Sequence, residues 1–125
     1  MENEISHAII GATIEVHKVL GGPGLLESVY ESCLYQELIL RGFKVARQVA
    51  VPVHYKGIAV RESLYIDLLV QDLVIVEVKA VEKAHPIYQV QLLTYLRLTG
   101  KKLGLLVNFG QEYAKDGITR VVNDL

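Results

Sequence analysis

Residues 65–80 read YIDLLVQDLVIVEVKA, and this stretch decides the fold. Apolar residues fill two runs, at 62–70 and 73–80, around Gln71-Asp72, a pattern typical of two strands joined by a tight turn. Three charged residues lie inside these runs: Asp67, Glu77 and Lys79. Because a buried charge costs free energy unless it is paired, the stretch predicts a buried hairpin that carries a charged site.

The length of the turn decides whether the two carboxylates meet. With residues 71–73 in the loop, Val70 pairs with Val74, and Asp67 lies directly opposite Glu77 on the same face of the sheet. A loop one residue shorter would place the two carboxylates on opposite faces. The longer loop is preferred because it leaves one face of the second strand for the core, with Val74, Val76 and Val78.

The predicted carboxylate pair needs a compensating charge, because directly opposed like charges repel. A shared proton, a basic partner or a cation would supply it, and Lys79 shares the face of Glu77 two residues further on. Mg²⁺ suits two carboxylates and a backbone carbonyl, here that of Val78, with water in the remaining positions. The structural alternative is a buried cluster of Asp67, Lys79 and Glu77 without chemistry, which is a weak source of stability.

The rest of the chain predicts alternating helices and strands around this hairpin. Helices are expected at Ile5–Leu20, Leu25–Leu40 and Pro86–Leu98, and further strands at 43–55 and Leu103–Phe109. The tail from Gln111 adds a short helix or a strand. Three consecutive strands favour an antiparallel meander, and the helix from Pro86 then crosses over to the last strand. The prediction is an α/β fold with a mixed four-stranded sheet flanked by helices.

Length and composition indicate one globular domain over residues 1–125, with 51% hydrophobic and 22% charged residues. No apolar run is long enough for a membrane span, and no signal peptide is recognised at the acidic N-terminus. One cysteine excludes an internal disulfide, and the expected compartment is the cytoplasm. The net charge of −1 weighs against a nucleic-acid binder driven by bulk charge, whereas a local basic patch at Arg97, Lys101 and Lys102 stays open.

Three motifs in this chain resemble one nuclease family. Asp67, Glu77 and Lys79 form D-x9-E-x-K, which resembles the motif of the PD-(D/E)xK nuclease superfamily, although Ile66 stands where that motif has proline. GLLESVY, residues 24–30, fits the pattern of the GxxExxY family, and QLLTYL carries Gln91 and Tyr95 with the spacing Q-x-x-x-Y. The resemblance spans residues 5–110. It implies a restriction-endonuclease-like α-β-β-β-α-β core, which agrees with the predicted order of elements.

The resemblance also implies a role for each matching residue. Asp67 and Glu77 would bind Mg²⁺ or Mn²⁺, and Lys79 would orient the attacking water or stabilise charge on the phosphate. Glu27 would join them as a metal ligand or a water-holding group, unless its charge only suits the start of its helix. Three further residues would position the substrate or brace the site, with ordinary packing as the alternative: Gln91, Tyr95 and Tyr30.

Two functions are therefore weighed. The leading hypothesis is a metal-dependent nuclease acting on DNA, carried by the convergence of acidic residues around Lys79. The alternative is a catalytically inactive module that keeps the nuclease fold and binds nucleic acid or protein, which the near-neutral charge and small size favour. The high apolar content also suggests a buried interface, as in a homodimer.

Overall fold

The computed structural model describes all residues, 1–125, in three α-helices, one short 3-10 helix and five strands. The helices are α1 (Glu2–Val19), α2 (Glu27–Leu40) and α3 (Ile87–Thr99), and the 3-10 helix spans Ala114–Gly117. The strands are β1 (Val45–Tyr55), β2 (Ile58–Val70), β3 (Val74–Lys79), β4 (Leu103–Asn108) and β5 (Ile118–Val122). The predicted order of elements is confirmed. None of the helices has the length and apolar character needed to cross a bilayer.

The sheet is mixed, with the strand order β1-β2-β3-β4-β5. Strands β1, β2 and β3 form the expected antiparallel meander, and α3 connects β3 to a parallel β4. The sheet has five strands where four were predicted, because the tail returns as β5, antiparallel to β4. Strand β2 also begins earlier than predicted, since the turn at Lys56-Gly57 has positive φ at both residues (51° and 80°) and reverses the chain within two residues.

The register of the β2–β3 hairpin is the one that brings the carboxylates together. Val70 pairs with Val74 and Leu68 pairs with Val76, so the loop contains residues 71–73. Gln71 and Asp72 both have positive φ (55° and 56°), and the N–H of Leu73 donates to the carbonyl of Val70 at 3.0 Å. The preferred loop length is thereby confirmed.

Helices cover the sheet on both faces and bury two apolar clusters. On one face, α1 and α2 pack on the valines of β3, and the largest buried side chains include Ile9, Leu34, Leu38 and Phe109. On the other face, α3 packs through Leu92 and Leu96 against Ile75 and Leu106. Gly104 permits this approach, because a β-carbon there would lie 2.7 Å from Cδ1 of Leu92.

The alternation of side chains in the β1–β2 hairpin is interrupted near residue 48, so that side chains of one parity pack on opposite faces of the sheet before and after this point. Val45 packs in the α1–α2 cluster, whereas Val49 and Val51 pack in the α3 cluster. Uninterrupted alternation would place all three on one face. The interruption in β1 occurs at Gln48, whose φ is 47°. On the paired strand β2, Leu68 packs in the α1–α2 cluster and Ile66 in the α3 cluster, so the alternation is interrupted at the same position. Asp67 lies at this point.

Candidate active site

Asp67 and Glu77 lie where β2 and β3 separate. The backbone ladder between the two strands ends at Leu68 and Val76. At the next pair, side chains take over the hydrogen bonding: the N–H of Asp67 donates to Oε1 of Glu77 at 3.1 Å, and the N–H of Val78 donates to Oδ2 of Asp67 at 2.8 Å. The two carboxylates are therefore held side by side by backbone donors of the opposite strand.

The Glu77 carboxyl is electrostatically costly in this position. It is buried, with 7% of its surface exposed. Burial, followed by the neighbouring charge of Asp67, raises the pKa of Glu77 to about 9. The hydrogen bond from the backbone N–H of Asp67 and the charge of Lys79 offset only part of that rise. Without a cation, the pair therefore holds a proton at neutral pH.

Lys79 approaches the site without forming an ion pair. The four ion pairs of the chain join other residues. The ammonium nitrogen of Lys79 lies 4.8 Å from the centre of the Tyr88 ring, an attractive cation–π arrangement. The suggested ion pair between Lys79 and a carboxylate is therefore not formed. The charge of Lys79 still opposes the rise in the pKa values of Glu77 and Glu27.

Glu27 begins α2 and faces the same site. Its pKa is raised, first by burial and then by the charge of Asp67, while the charge of Lys79 opposes the rise. Leu26, the residue that precedes the helix, provides no side-chain cap. Glu27 is therefore close enough to Asp67 and Lys79 for both charges to change its pKa, although much of the residue is exposed to solvent.

Two residues of the site, Glu31 and Gln48, were not identified from the sequence. Glu31 lies one helical turn after Glu27 and is buried, with 9% of its surface exposed. Burial, then the charge of Asp67, raises the pKa of Glu31, while hydrogen bonds from Gln48 and Arg47 lower it. The i,i+4 spacing of Glu27 and Glu31 on one helix face was the available signal.

Tyr30 supports the loop before α2 and does not contact a substrate. Its side chain is completely buried and stacks on Phe109, with the ring centres 4.5 Å apart and the planes at 8°. Its hydroxyl donates to the carbonyl of Gly22 at 2.7 Å and accepts from the N–H of Leu25 at 3.2 Å. The expected substrate-positioning role of Tyr30 is therefore wrong, and packing is its role.

Tyr95 and Gln91 lie one turn apart on α3. Tyr95 is half-buried, and its pKa is raised by burial and then by the carboxylates of Glu77 and Asp67. Its phenol therefore borders the site. Gln91 is exposed, and Tyr88, one turn nearer the start of α3, is the residue that holds Lys79. The bracing and substrate-positioning roles of Gln91 stay predictions.

The chain leaving β3 is fixed by Asn108 on β4. Its side chain accepts hydrogen bonds from the N–H groups of Val81 and Gly110 and donates to the carbonyl of Val81, each at 3.0 Å. A β-carbon on Gly110 would lie 2.0 Å from that carbonyl oxygen, so only glycine fits. Beside this junction lies a cavity of about 310 Å³, lined by Pro23, Gly24, Ala80, Glu82 and Gly110.

The donor set fits a hard divalent cation. Asp67 and Glu77 provide carboxylate oxygens, and no histidine or cysteine is among the candidate ligands. No group of three acidic, histidine or cysteine side chains is arranged to hold a metal by itself. Two carboxylates and several waters are nevertheless usual ligands of Mg²⁺, and a cation between the carboxylates would oppose the burial and the charge of Asp67 that raise the pKa of Glu77.

The basic patch suggested at the end of α3 lies away from this pair. The ammonium group of Lys101 pairs with the carboxylate of Asp72 at 3.2 Å, in the turn at the opposite end of β3 from Lys79. Arg61, by contrast, lies close enough to Tyr95 for its charge to lower the tyrosine's pKa. Positive charge near the site therefore comes from Lys79, Arg61 and Arg47, the last of which pairs with Glu31.

The α-β-β-β-α-β core, with two carboxylates and a lysine at the fork of its central hairpin, defines a restriction-endonuclease-like fold. A family model described as the PD-(D/E)XK nuclease superfamily matches residues 3–121, and the chain belongs to that superfamily. Its members generally use divalent metal ions, and membership supports a nuclease-type function with a nucleic-acid substrate. No curated protein sequence and no solved structure matches the chain.

Proposed function

We propose that this protein is a metal-dependent nuclease that hydrolyses phosphodiester bonds in DNA and uses Mg²⁺ or Mn²⁺. The observation that carries the proposal is the meeting of Asp67 and Glu77 at the fork of β2 and β3, beside an ammonium group on Lys79 that has no carboxylate partner. The sequence GLLESVY at 24–30 supports assignment to the GxxExxY branch of the superfamily.

The roles follow from the surroundings of each side chain. Asp67 and Glu77, with the carbonyl of Val78, would hold the cation, which when bound polarises the phosphate and acidifies a water molecule. Lys79, held over Tyr88, would stabilise negative charge that develops on the phosphate. Glu27 faces the site from α2 and would hold a water molecule or complete the ligand set.

The substrate would approach from the side of α3. Tyr95 borders the two carboxylates, Arg61 lies near it, and Gln91 is exposed one turn earlier on the helix. Arginine and tyrosine together suit a nucleic-acid backbone with its bases, because they offer a charged donor and a stacking surface. These residues, rather than the net charge of −1, would recruit DNA.

The test is an assay of purified protein on single- and double-stranded DNA, with Mg²⁺, with Mn²⁺ and with a chelator. Cleavage should need the metal and should be lost in Glu77→Ala and Lys79→Ala. Lys115→Ala, an exposed lysine on the 3-10 helix, is the matched control and should cleave like the wild type. Absence of cleavage, or cleavage that both site variants retain, would refute the proposal.

The absence of a three-ligand cluster favours a second candidate, a nuclease-fold module that binds nucleic acid without cutting it. Calorimetry separates the two. A nuclease should bind Mn²⁺ before any DNA is added, whereas an inactive module should bind DNA and show no affinity for Mn²⁺. The homodimer and the cytoplasmic location stay predictions, and light scattering at high protein concentration tests the first of them.

A further inference from the structure

Gln48 has a backbone conformation that its strand does not explain. It lies inside β1 with a φ of 47°, in the left-handed region that disfavours side chains other than glycine. The other non-glycine residues with positive φ are Lys56, Gln71, Asp72 and Asp124, and all four lie in turns or in the tail. On either side of Gln48 the ladder is regular, with Arg47 paired to Leu68 and Val49 to Ile66.

This conformation directs the side chain of Gln48 to two carboxylates. Its amide nitrogen lies 3.1 Å and 3.2 Å from the two oxygens of Glu31 and 3.3 Å from Oδ1 of Asp67. A primary amide carries two hydrogens, so one is available for each carboxylate. Because Oδ2 of Asp67 already accepts from the N–H of Val78, both oxygens of Asp67 are held.

The bridge is anchored on α2 through Glu31. The guanidinium of Arg47 donates to Oε2 of Glu31 at 3.3 Å and lies 4.9 Å from the centre of the Tyr35 ring. Glu31 is thus buried and partnered, and it offers Gln48 a fixed acceptor. Glu31 and Asp67 lie close enough for the charge of Asp67 to raise the pKa of Glu31, and the amide of Gln48 donates to both carboxylates and offsets part of their repulsion.

We propose that Gln48 is a positioning residue that bridges Glu31 to Asp67 and holds the Asp67 carboxylate in the orientation the metal site needs. The inference rests on the proposed function. The positive φ at Gln48 brings the amide within hydrogen-bond distance of Asp67, and backbone strain of this kind clusters at functional sites. Removal of a group that orients a metal ligand typically lowers metal affinity or activity by about 10- to 100-fold.

Gln48→Gly removes the amide side chain but permits the same backbone conformation, because glycine adopts a positive φ without strain. The variant should still fold, because relief of the backbone strain offsets part of the loss of the amide's hydrogen bonds, yet its affinity for Mn²⁺, measured by calorimetry without DNA, should fall about 10-fold or more. In the nuclease assay at saturating Mn²⁺, kcat should fall while KM for DNA stays the same. Gln48→Glu, which replaces the donor by a third carboxylate, should lose more Mn²⁺ affinity than Gln48→Gly.

Lys56→Gly is the matched control, since Lys56 has the same backbone strain (φ 51°) in the turn between β1 and β2. It should match the wild type in Mn²⁺ affinity and in kcat. Wild-type affinity in Gln48→Gly would overturn this inference and leave the proposed function standing. A wild-type protein that binds no Mn²⁺ would overturn both, and an equal loss in Lys56→Gly would show that backbone strain alone is responsible.

Discussion

Asp67 and Glu77 each accept a backbone hydrogen bond from the other's strand: Glu77 from the N–H of Asp67, and Asp67 from the N–H of Val78. Side chains thereby replace the ladder at the point where β2 and β3 separate. The fork keeps two carboxylates together that would otherwise repel each other. It also leaves Glu77 with a pKa of about 9 in the absence of a cation.

The first prediction concerns stability and pH in the metal-free protein. The raised pKa of Glu77 means that the folded state keeps a proton that the unfolded state loses. Its favourable contribution is complete below the ordinary carboxyl pKa and disappears progressively as the pH rises towards about 9. Glu77→Gln should abolish this dependence and be more stable than the wild type at alkaline pH, by on the order of a few kcal/mol.

Urea unfolding of both proteins across this pH range, with a chelator present, measures the effect. Adding Mg²⁺ at alkaline pH should stabilise the wild type and leave Glu77→Gln nearly unchanged, because a cation replaces the proton only where a carboxylate can form. If the free energy of unfolding of the wild type does not fall as the pH rises from acidic to alkaline values, the pKa of Glu77 is not raised as described.

The second prediction concerns the aromatic residue under Lys79. Tyr88→Phe keeps the ring face that attracts the ammonium group, whereas Tyr88→Leu removes it. Cleavage by Tyr88→Phe should stay within about 2-fold of the wild type, and cleavage by Tyr88→Leu should fall about 5-fold or more, the effect of losing about 1 kcal/mol of positioning. Single-turnover rates check this, and equal rates in both variants would show that the ring does not hold Lys79.

The third prediction concerns the loop before α2. Tyr30→Phe retains the stacking on Phe109 but loses the hydroxyl that binds Gly22 and Leu25, so it should lower the free energy of unfolding by about 1–2 kcal/mol. Tyr30→Ala should cost about 3–5 kcal/mol because it also leaves a cavity. Denaturant melts measure both. A Tyr30→Phe variant that is fully stable but cannot bind DNA would restore the substrate role for this hydroxyl.

The fourth prediction compares two glycines. Gly110→Ala would place a β-carbon 2.0 Å from the carbonyl oxygen of Val81, so the segment that Asn108 holds must move. It should destabilise the protein by about 2 kcal/mol or more and reduce cleavage, because Lys79 lies at the end of the same segment. Gly11→Ala, in α1, meets only the flexible end of Arg41 and should stabilise the helix by up to about 1 kcal/mol. Thermal melts that rank the two variants the other way would contradict this packing.

The register of the central hairpin was predictable because one face of β3 is uniformly apolar. Val74, Val76 and Val78 pack together in the cluster under α1 and α2, and a shift by one residue would turn Glu77 and Lys79 towards that apolar cluster, which favours the register that pairs Asp67 with Glu77. Strand β5 was less predictable, since five residues with an arginine among them carry no strong alternation and are defined by pairing with β4.

The contacts of Gln48 and Lys79 were not predictable from local pattern. Gln48 reaches Glu31 and Asp67, 17 and 19 residues away, from a backbone position with positive φ. The sequence gives no sign of that conformation, because the residue is neither a glycine nor an asparagine. Pairing of Lys79 with a carboxylate was one of three possibilities, but its long side chain instead reaches Tyr88 on α3. Such details depend on how separate elements pack, and the sequence period within one element does not specify them.

The central claim is that Asp67 and Glu77 are held together for a divalent cation, and Mn²⁺ in a crystal tests it most directly. Crystals soaked in Mn²⁺ at alkaline pH, with data collected at the manganese edge, should show an anomalous peak between the two carboxylates that is absent in Glu77→Gln. No peak at that position in the wild type, with the N–H of Asp67 still bound to Glu77, would contradict the claim.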